Sequence, residues 1–140
     1  MADHLFGARK RDRLIRLDMS EYAGPAAGER FFLGEDAKPS AFIQSIREHP
    51  FSVVLFGAIE KASPAMHDVL LNLLDVGYVT DRWGRVTWFR SAILIMTTNV
   101  GAKMRSAVRF EERSDRPSEI DLMNSFRPEF IKRIDQVVHF

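Results

Sequence analysis

The run Phe51-Ser52-Val53-Val54-Leu55-Phe56 constrains this chain more than any other stretch, because Ser52 is its only polar residue. A strand built from it has no face suited to water. Such runs belong to strands covered on both sides, as in parallel α/β sheets. Ser63-Pro64 follows as a helix start, a hydroxyl cap and then proline at the first helical position. Met66, Val69, Leu70, Leu73 and Leu74 form a helical stripe that Gly77 ends. Ala92 to Met96 is a second apolar run, closed by Thr97-Thr98-Asn99, and Leu14 to Leu17 offers a further short strand. Strands alternating with helices predict a three-layer α/β fold. Ligands of such folds sit beyond the carboxyl ends of the strands, which singles out Asp18, Gly57, Ala58 and Asn99.

The remaining segments fit around that frame. Met1 to Phe6 reads as the tail of a helix stopped by Gly7. Tyr22 to Lys38, rich in glycine, reads as a loop anchored by Phe31-Phe32-Leu33. Pro39 opens a helix in which Phe42, Ile43 and Ile46 share a face, and Pro50 stops it. Val79 to Phe89 predicts a hairpin turning at Thr80-Asp81-Arg82-Trp83-Gly84-Arg85. Arg105 to Asp121 is charge-rich and weakly periodic, the pattern of a surface segment. Phe126 to Ile134 predicts a helix with Pro128 near its start, and Val137 to Phe140 a final strand. There is no internal repeat.

Composition narrows the function. At 140 residues the chain suits one domain or part of a larger one, and 46% hydrophobic content is enough for a core. Its 20 basic and 19 acidic residues nearly cancel, which argues against a dedicated nucleic-acid surface. The chain has no cysteine, so thiol chemistry and disulfides are excluded, and a reducing, cytoplasmic setting is expected. His4, His49, His67 and His139 lack ligand-like spacing, and no metal site is expected from them. No stretch approaches the ~20 apolar residues of a membrane span, and the start lacks the apolar core of a signal peptide.

An ordered set of motifs carries a family signature. Asp18-Met19-Ser20-Glu21-Tyr22, Ile59-Glu60-Lys61-Ala62, Leu74-Asp75 through Gly77, Thr80-Asp81 with Gly84-Arg85, and Thr97-Thr98-Asn99-Val100-Gly101 follow one another. Phe126-Arg127-Pro128-Glu129-Phe130-Ile131-Lys132-Arg133-Ile134-Asp135 closes the series. Together they resemble the large ATPase subdomain of the Clp/Hsp100 branch of AAA+ proteins, over nearly the whole chain. The resemblance implies a P-loop NTPase-like fold with a five-stranded parallel sheet and helices on both faces. It implies ATP and Mg as cofactors, a polypeptide substrate, and other AAA+ subunits or further copies of the chain as partners. Family members are hexameric unfoldases and chaperones. By resemblance Asn99 matches the sensor of the γ-phosphate and Arg133 the arginine finger. Thr80, Asp81, Arg82, Trp83, Gly84 and Arg85 match the second pore loop.

The departures concern the chemistry. The 140 residues contain no Gly-x-x-x-x-Gly-Lys-Ser/Thr, and so no backbone cradle or lysine for phosphates. The strand that carries this loop and the C-terminal lid are expected to be missing, leaving residues 1–140 as a partial large subdomain. Gly57 and Ala58 occupy the positions of the metal-supporting aspartate and the water-polarising glutamate. Neither supplies an oxygen for magnesium or a base for water. Glu60, two residues on, is a poor substitute, since the family carries its own glutamate there beside the catalytic one. Gly34 to Pro39, where the first pore loop is expected, is short and has no aromatic, with Phe31-Phe32 either replacing it or anchoring the core. The expected function is a degenerate Clp-like ATPase domain; the alternatives are a fragment of a working ATP-binding unfoldase, or a non-enzymatic interaction module using Trp83 and Arg105 to Asp121. Without the central strand, Val137 to Phe140 is expected not to pair normally with Ala92 to Met96.

Overall fold

The structure is a computed structural model, described here over residues 13–34, 36, 38–100 and 124–138. Strands β1 (Leu14–Asp18), β2 (Val53–Gly57) and β5 (Ile93–Met96) form a sheet in the order β1-β2-β5. β2 pairs in parallel with both neighbours, Ile15 and Leu94 opposite Val54, Leu17 and Met96 opposite Phe56. The apolar run thus takes the middle of the sheet, where Val53, Val54 and Phe56 are buried.

Both connections step across the sheet in the same direction, so right-handed crossovers place them on one face. Between β1 and β2 run α1 (Ala27–Phe32) and α2 (Ala41–Glu48). Between β2 and β5 run α3 (Pro64–Val76) and a hairpin of β3 (Tyr78–Thr80) and β4 (Val86–Trp88). Their buried residues join Val54 and Phe56 in a single core of Phe31, Phe42, Ile46, Met66, Leu70, Leu73 and Phe89. Phe31 and Phe42 lie 4.9 Å apart, and Phe42 meets Phe56 at 6.4 Å and Phe89 at 5.7 Å. At roughly 1.5–3 kcal/mol for each large side chain fully buried, this cluster outweighs local propensities. Val53 is buried outside that core, on the other face of the sheet.

Helix α3 starts and stops where its sequence says. The Ser63 hydroxyl accepts a hydrogen bond from the Met66 N–H, and Pro64 follows as the first helical residue. Gly77, at φ 78°, turns the chain out in the left-handed region that glycine enters without strain. No helix among the described residues is long and apolar enough to cross a membrane.

Four expectations change. Tyr22 to Lys38 is not a plain loop: α1 forms in it, because burial of Ala27 and Phe31 overrides the breakers Gly24, Pro25 and Gly28. Phe31 is fully buried, which makes it a core anchor. The helix expected over Phe126 to Ile134 is cut to α4 (Pro128–Ile131), since the residue before a proline is driven out of the α region and Arg127 is extended (φ -61°, ψ 140°). Val137 and Val138 form no strand and are exposed. Among the described residues the sheet therefore keeps three parallel strands, of the four left once the expected missing strand is taken from the five of the resemblance. Met1 to Phe6, Arg105 to Asp121 and His139-Phe140 lie outside the described residues.

Candidate functional site

The carboxyl ends of the three strands bring Asp18, Gly57, Ala58 and Asn99 to one edge of the sheet, with Asp18 opposite Gly57 in the register. Each residue there is held by local bonding. The Asp18 carboxylate accepts from the Ser20 hydroxyl at 2.7 Å and the Ser20 N–H at 2.9 Å, capping a 3-10 turn over Met19–Tyr22. The bond from the Ser20 hydroxyl, then that from its N–H, holds the Asp18 carboxyl below the usual aspartate value.

Gly57 ends β2 and presents only hydrogen. A Cβ built on it would meet the Leu17 carbonyl oxygen at 3.7 Å and the Thr97 hydroxyl at 3.9 Å, both ordinary contacts. The position therefore has room for a Cβ, so close packing at that atom does not require the glycine. Ala58 turns the chain in the left-handed region, φ 52° and ψ 52°. The next N–H, of Ile59, donates to the Thr97 carbonyl at 2.9 Å and ties this turn to the end of β5.

Glu60 takes part in that tie. Its Oε1 accepts from the Asn99 N–H at 3.4 Å. Its Oε2 is buried without a hydrogen-bond partner among the described residues. The carboxylate thus braces the Thr97–Asn99 loop. This link between Glu60 and Asn99 was not read from the sequence, where the two lie far apart.

Among the described residues the site does not fit magnesium. No group of three or more His, Cys, Asp or Glu that could hold a metal ion occurs among the described residues. Asp18 is engaged by Ser20 and one oxygen of Glu60 by Asn99, while Gly57 and Ala58 contribute no oxygen from their side chains. Magnesium requires several oxygen ligands in near-octahedral geometry, which this set does not offer.

The other expected residues lie away from that edge. Arg133 pairs with Asp75 on the last turn of α3 at 2.7 Å, both side chains about half exposed. In the hairpin, Thr80 ends β3 and the Asp81 carboxylate accepts from the N–H groups of Trp83 and Arg85 and from the Arg85 guanidinium. Burial alone would raise the Asp81 carboxyl; the Arg85 and Trp83 bonds outweigh it and hold it below the usual value. Gly84 makes the turn at φ 77°. Arg82 pairs with Glu29 of α1, and both Arg82 and Arg85 lie over the Trp83 ring, at 4.2 and 5.0 Å. A shallow opening beside this contact is lined by Ala26, Glu29, Arg30, Leu33, Gly34 and Arg82. Sequence reasoning missed the outward pair Tyr78 and Trp88, although the alternation of Tyr78-Val79-Thr80 against Val86-Thr87-Trp88 carried the signal.

The chain is similar to known proteins over its whole length. The family model described as AAA domain (Cdc48 subfamily) matches residues 1–137. The ATP-dependent Clp protease ATP-binding subunit ClpC of Staphylococcus epidermidis is 38% identical over 157 aligned positions, covering 100% of this chain and 19% of the relative. The protein of the same name from Staphylococcus aureus strain USA300 is 37% identical with the same coverage. The chain spans about a fifth of the length of these relatives (19%). The alignment exceeds the chain by 17 positions (157 less 140), so the relatives carry residues within this stretch that the chain lacks.

Proposed function

The chain belongs to the AAA domain (Cdc48 subfamily) family, in its Clp/Hsp100 branch, and from that membership we propose that it is a degenerate motor domain with no hydrolytic chemistry of its own. The observation that carries this is the end of β2: Gly57 and Ala58 stand where the motor reading requires two carboxylates, and the neighbouring acids are engaged by backbone and hydroxyl donors. ATP and Mg come to this chain by family resemblance alone, and the isolated chain is proposed not to bind them.

The role that remains is that of a structural or regulatory subunit. On this reading residues 1–140 are part of one large subdomain that assembles with other AAA+ subunits or with further copies of itself, in the cytoplasm. The relatives' printed name, an ATP-binding subunit of a Clp protease, supports a partner of that kind and a polypeptide substrate. Asn99 keeps the sensor's place without its chemistry. Arg133 would act as a finger only after giving up Asp75. The tip of the hairpin, Thr80 to Arg85, would face polypeptide as a pore loop does.

Phosphate release from Mg-ATP tests the proposal, with the chain alone and mixed with an intact Clp-type ATPase. No release above background alone, together with a changed rate of the intact enzyme on mixing, is expected. Turnover by the chain alone would overturn the degenerate reading. An unchanged rate on mixing would overturn the subunit role.

A further inference from the structure

The outward face of the hairpin carries more apolar surface than a finished surface needs. In the β3–β4 register Tyr78 pairs with Trp88 and Thr80 with Val86, while Val79 and Thr87 point inward and are buried. Trp88 is 50% exposed and Val86 41% exposed. The Tyr78 and Trp88 rings lie 4.8 Å apart, forming one aromatic ledge beside Val86.

Cations border the ledge. The Arg90 guanidinium lies over Trp88 at 4.4 Å, and among the described residues no carboxylate is bonded to it. Beside Val86, Arg47 of α2 donates to the Thr87 hydroxyl and the Val86 carbonyl, both neutral acceptors. A guanidinium has five donors, so Arg47 keeps some for a further acceptor. The acids of the hairpin region are already engaged, Asp81 by Arg85 and Glu29 by Arg82.

We infer that this face docks an extended acidic-hydrophobic segment of another protein, with apolar side chains on Tyr78, Val86 and Trp88 and carboxylates on Arg47 and Arg90. The charge at the borders complements such a segment. Guanidinium–carboxylate pairs beside an aromatic ledge join charge-assisted hydrogen bonds to apolar burial. A nucleic acid fits less well, because its affinity grows with the number of phosphates neutralised, and beside this ledge only Arg47 and Arg90 are described without a carboxylate.

The chain carries its own reporter. Its two tryptophans, Trp83 and Trp88, both lie in this hairpin. A short peptide alternating glutamate and leucine is titrated into the whole chain and followed by tryptophan emission and by anisotropy of the labelled peptide. Peptides alternating lysine with leucine and glutamate with serine serve as comparisons, with single-stranded oligothymidylate as the nucleic-acid probe. Saturable binding of the glutamate–leucine peptide is expected, weakened about tenfold by Arg90→Gln or Trp88→Ser, as for truncation of an interface anchor. A urea midpoint for each variant separates loss of binding from loss of fold; if Trp88→Ser unfolds the chain, Arg90→Gln decides. No saturable response, equal binding of the lysine–leucine peptide, tighter binding of oligothymidylate, or a folded Arg90→Gln chain that binds as well as the parent would each overturn the inference.

Discussion

Ala58 is held at φ 52° and ψ 52°, where a Cβ crowds the backbone. For an ordinary residue this costs about 1–2 kcal/mol, and glycine would relieve it at an entropic cost of roughly 0.5–1 kcal/mol. Ala58→Gly should therefore stabilise the chain by about 0.5–1 kcal/mol in urea denaturation; a loss of stability would contradict the left-handed assignment. Gly57 and Ala58 were legible from the sequence as a strand end without acids. The strain was not, because alanine gives no sign of a left-handed turn. The brace from Glu60 to Asn99 was hidden for another reason, since it depends on how two loops meet after the sheet has formed.

Elements with strong local punctuation were the ones legible in advance. Ser63, Pro64 and Gly77 bound α3 as its sequence predicts. The pattern failed for α1, where glycine and proline signalled a loop and burial of Phe31 decided otherwise. It failed in part for α4, which Pro128 shortens from in front. The docking of that short helix should be pH-sensitive. His67 of α3 lies 5.9 Å from Phe126 and 5.6 Å from Phe130. Burial, then the nearby Arg127 charge, lowers the His67 pKa below its usual value, with Asp68 and the Ile59 carbonyl opposing. The folded state thus favours neutral His67. Its contribution is present above the unfolded value of about 6.5 and is lost as pH falls through the lower folded value. Amide protection factors around Phe130 should fall below about pH 6.5, and His67→Phe should flatten that dependence; an unchanged pH profile in His67→Phe would exclude His67 as its source.

At the scale of the whole molecule, the parallel α/β class was legible because β2 is apolar on both faces and ends up between two parallel neighbours. The extent of the sheet was less so. β5 reads as a buried strand, yet Ile93 is 43% exposed and the sheet ends there among the described residues. Val137 and Val138, expected to form a strand, stand exposed instead. Apolar edges of this kind invite association. Deleting residues 136–140 should leave the core folded with a urea midpoint close to that of the parent, and marked unfolding would show that the segment holds the core.

The measurement that tests the account most directly is a calorimetric titration of the chain with Mg-ATP, its mass in solution followed alongside. The account predicts no saturable heat up to about millimolar nucleotide, a threshold of roughly 4 kcal/mol of binding free energy. Saturable binding that weakens on Asn99→Ala or Arg133→Ala would contradict it, because the strand ends or a subunit interface would then be rebuilding the site that Gly57 and Ala58 leave without acids.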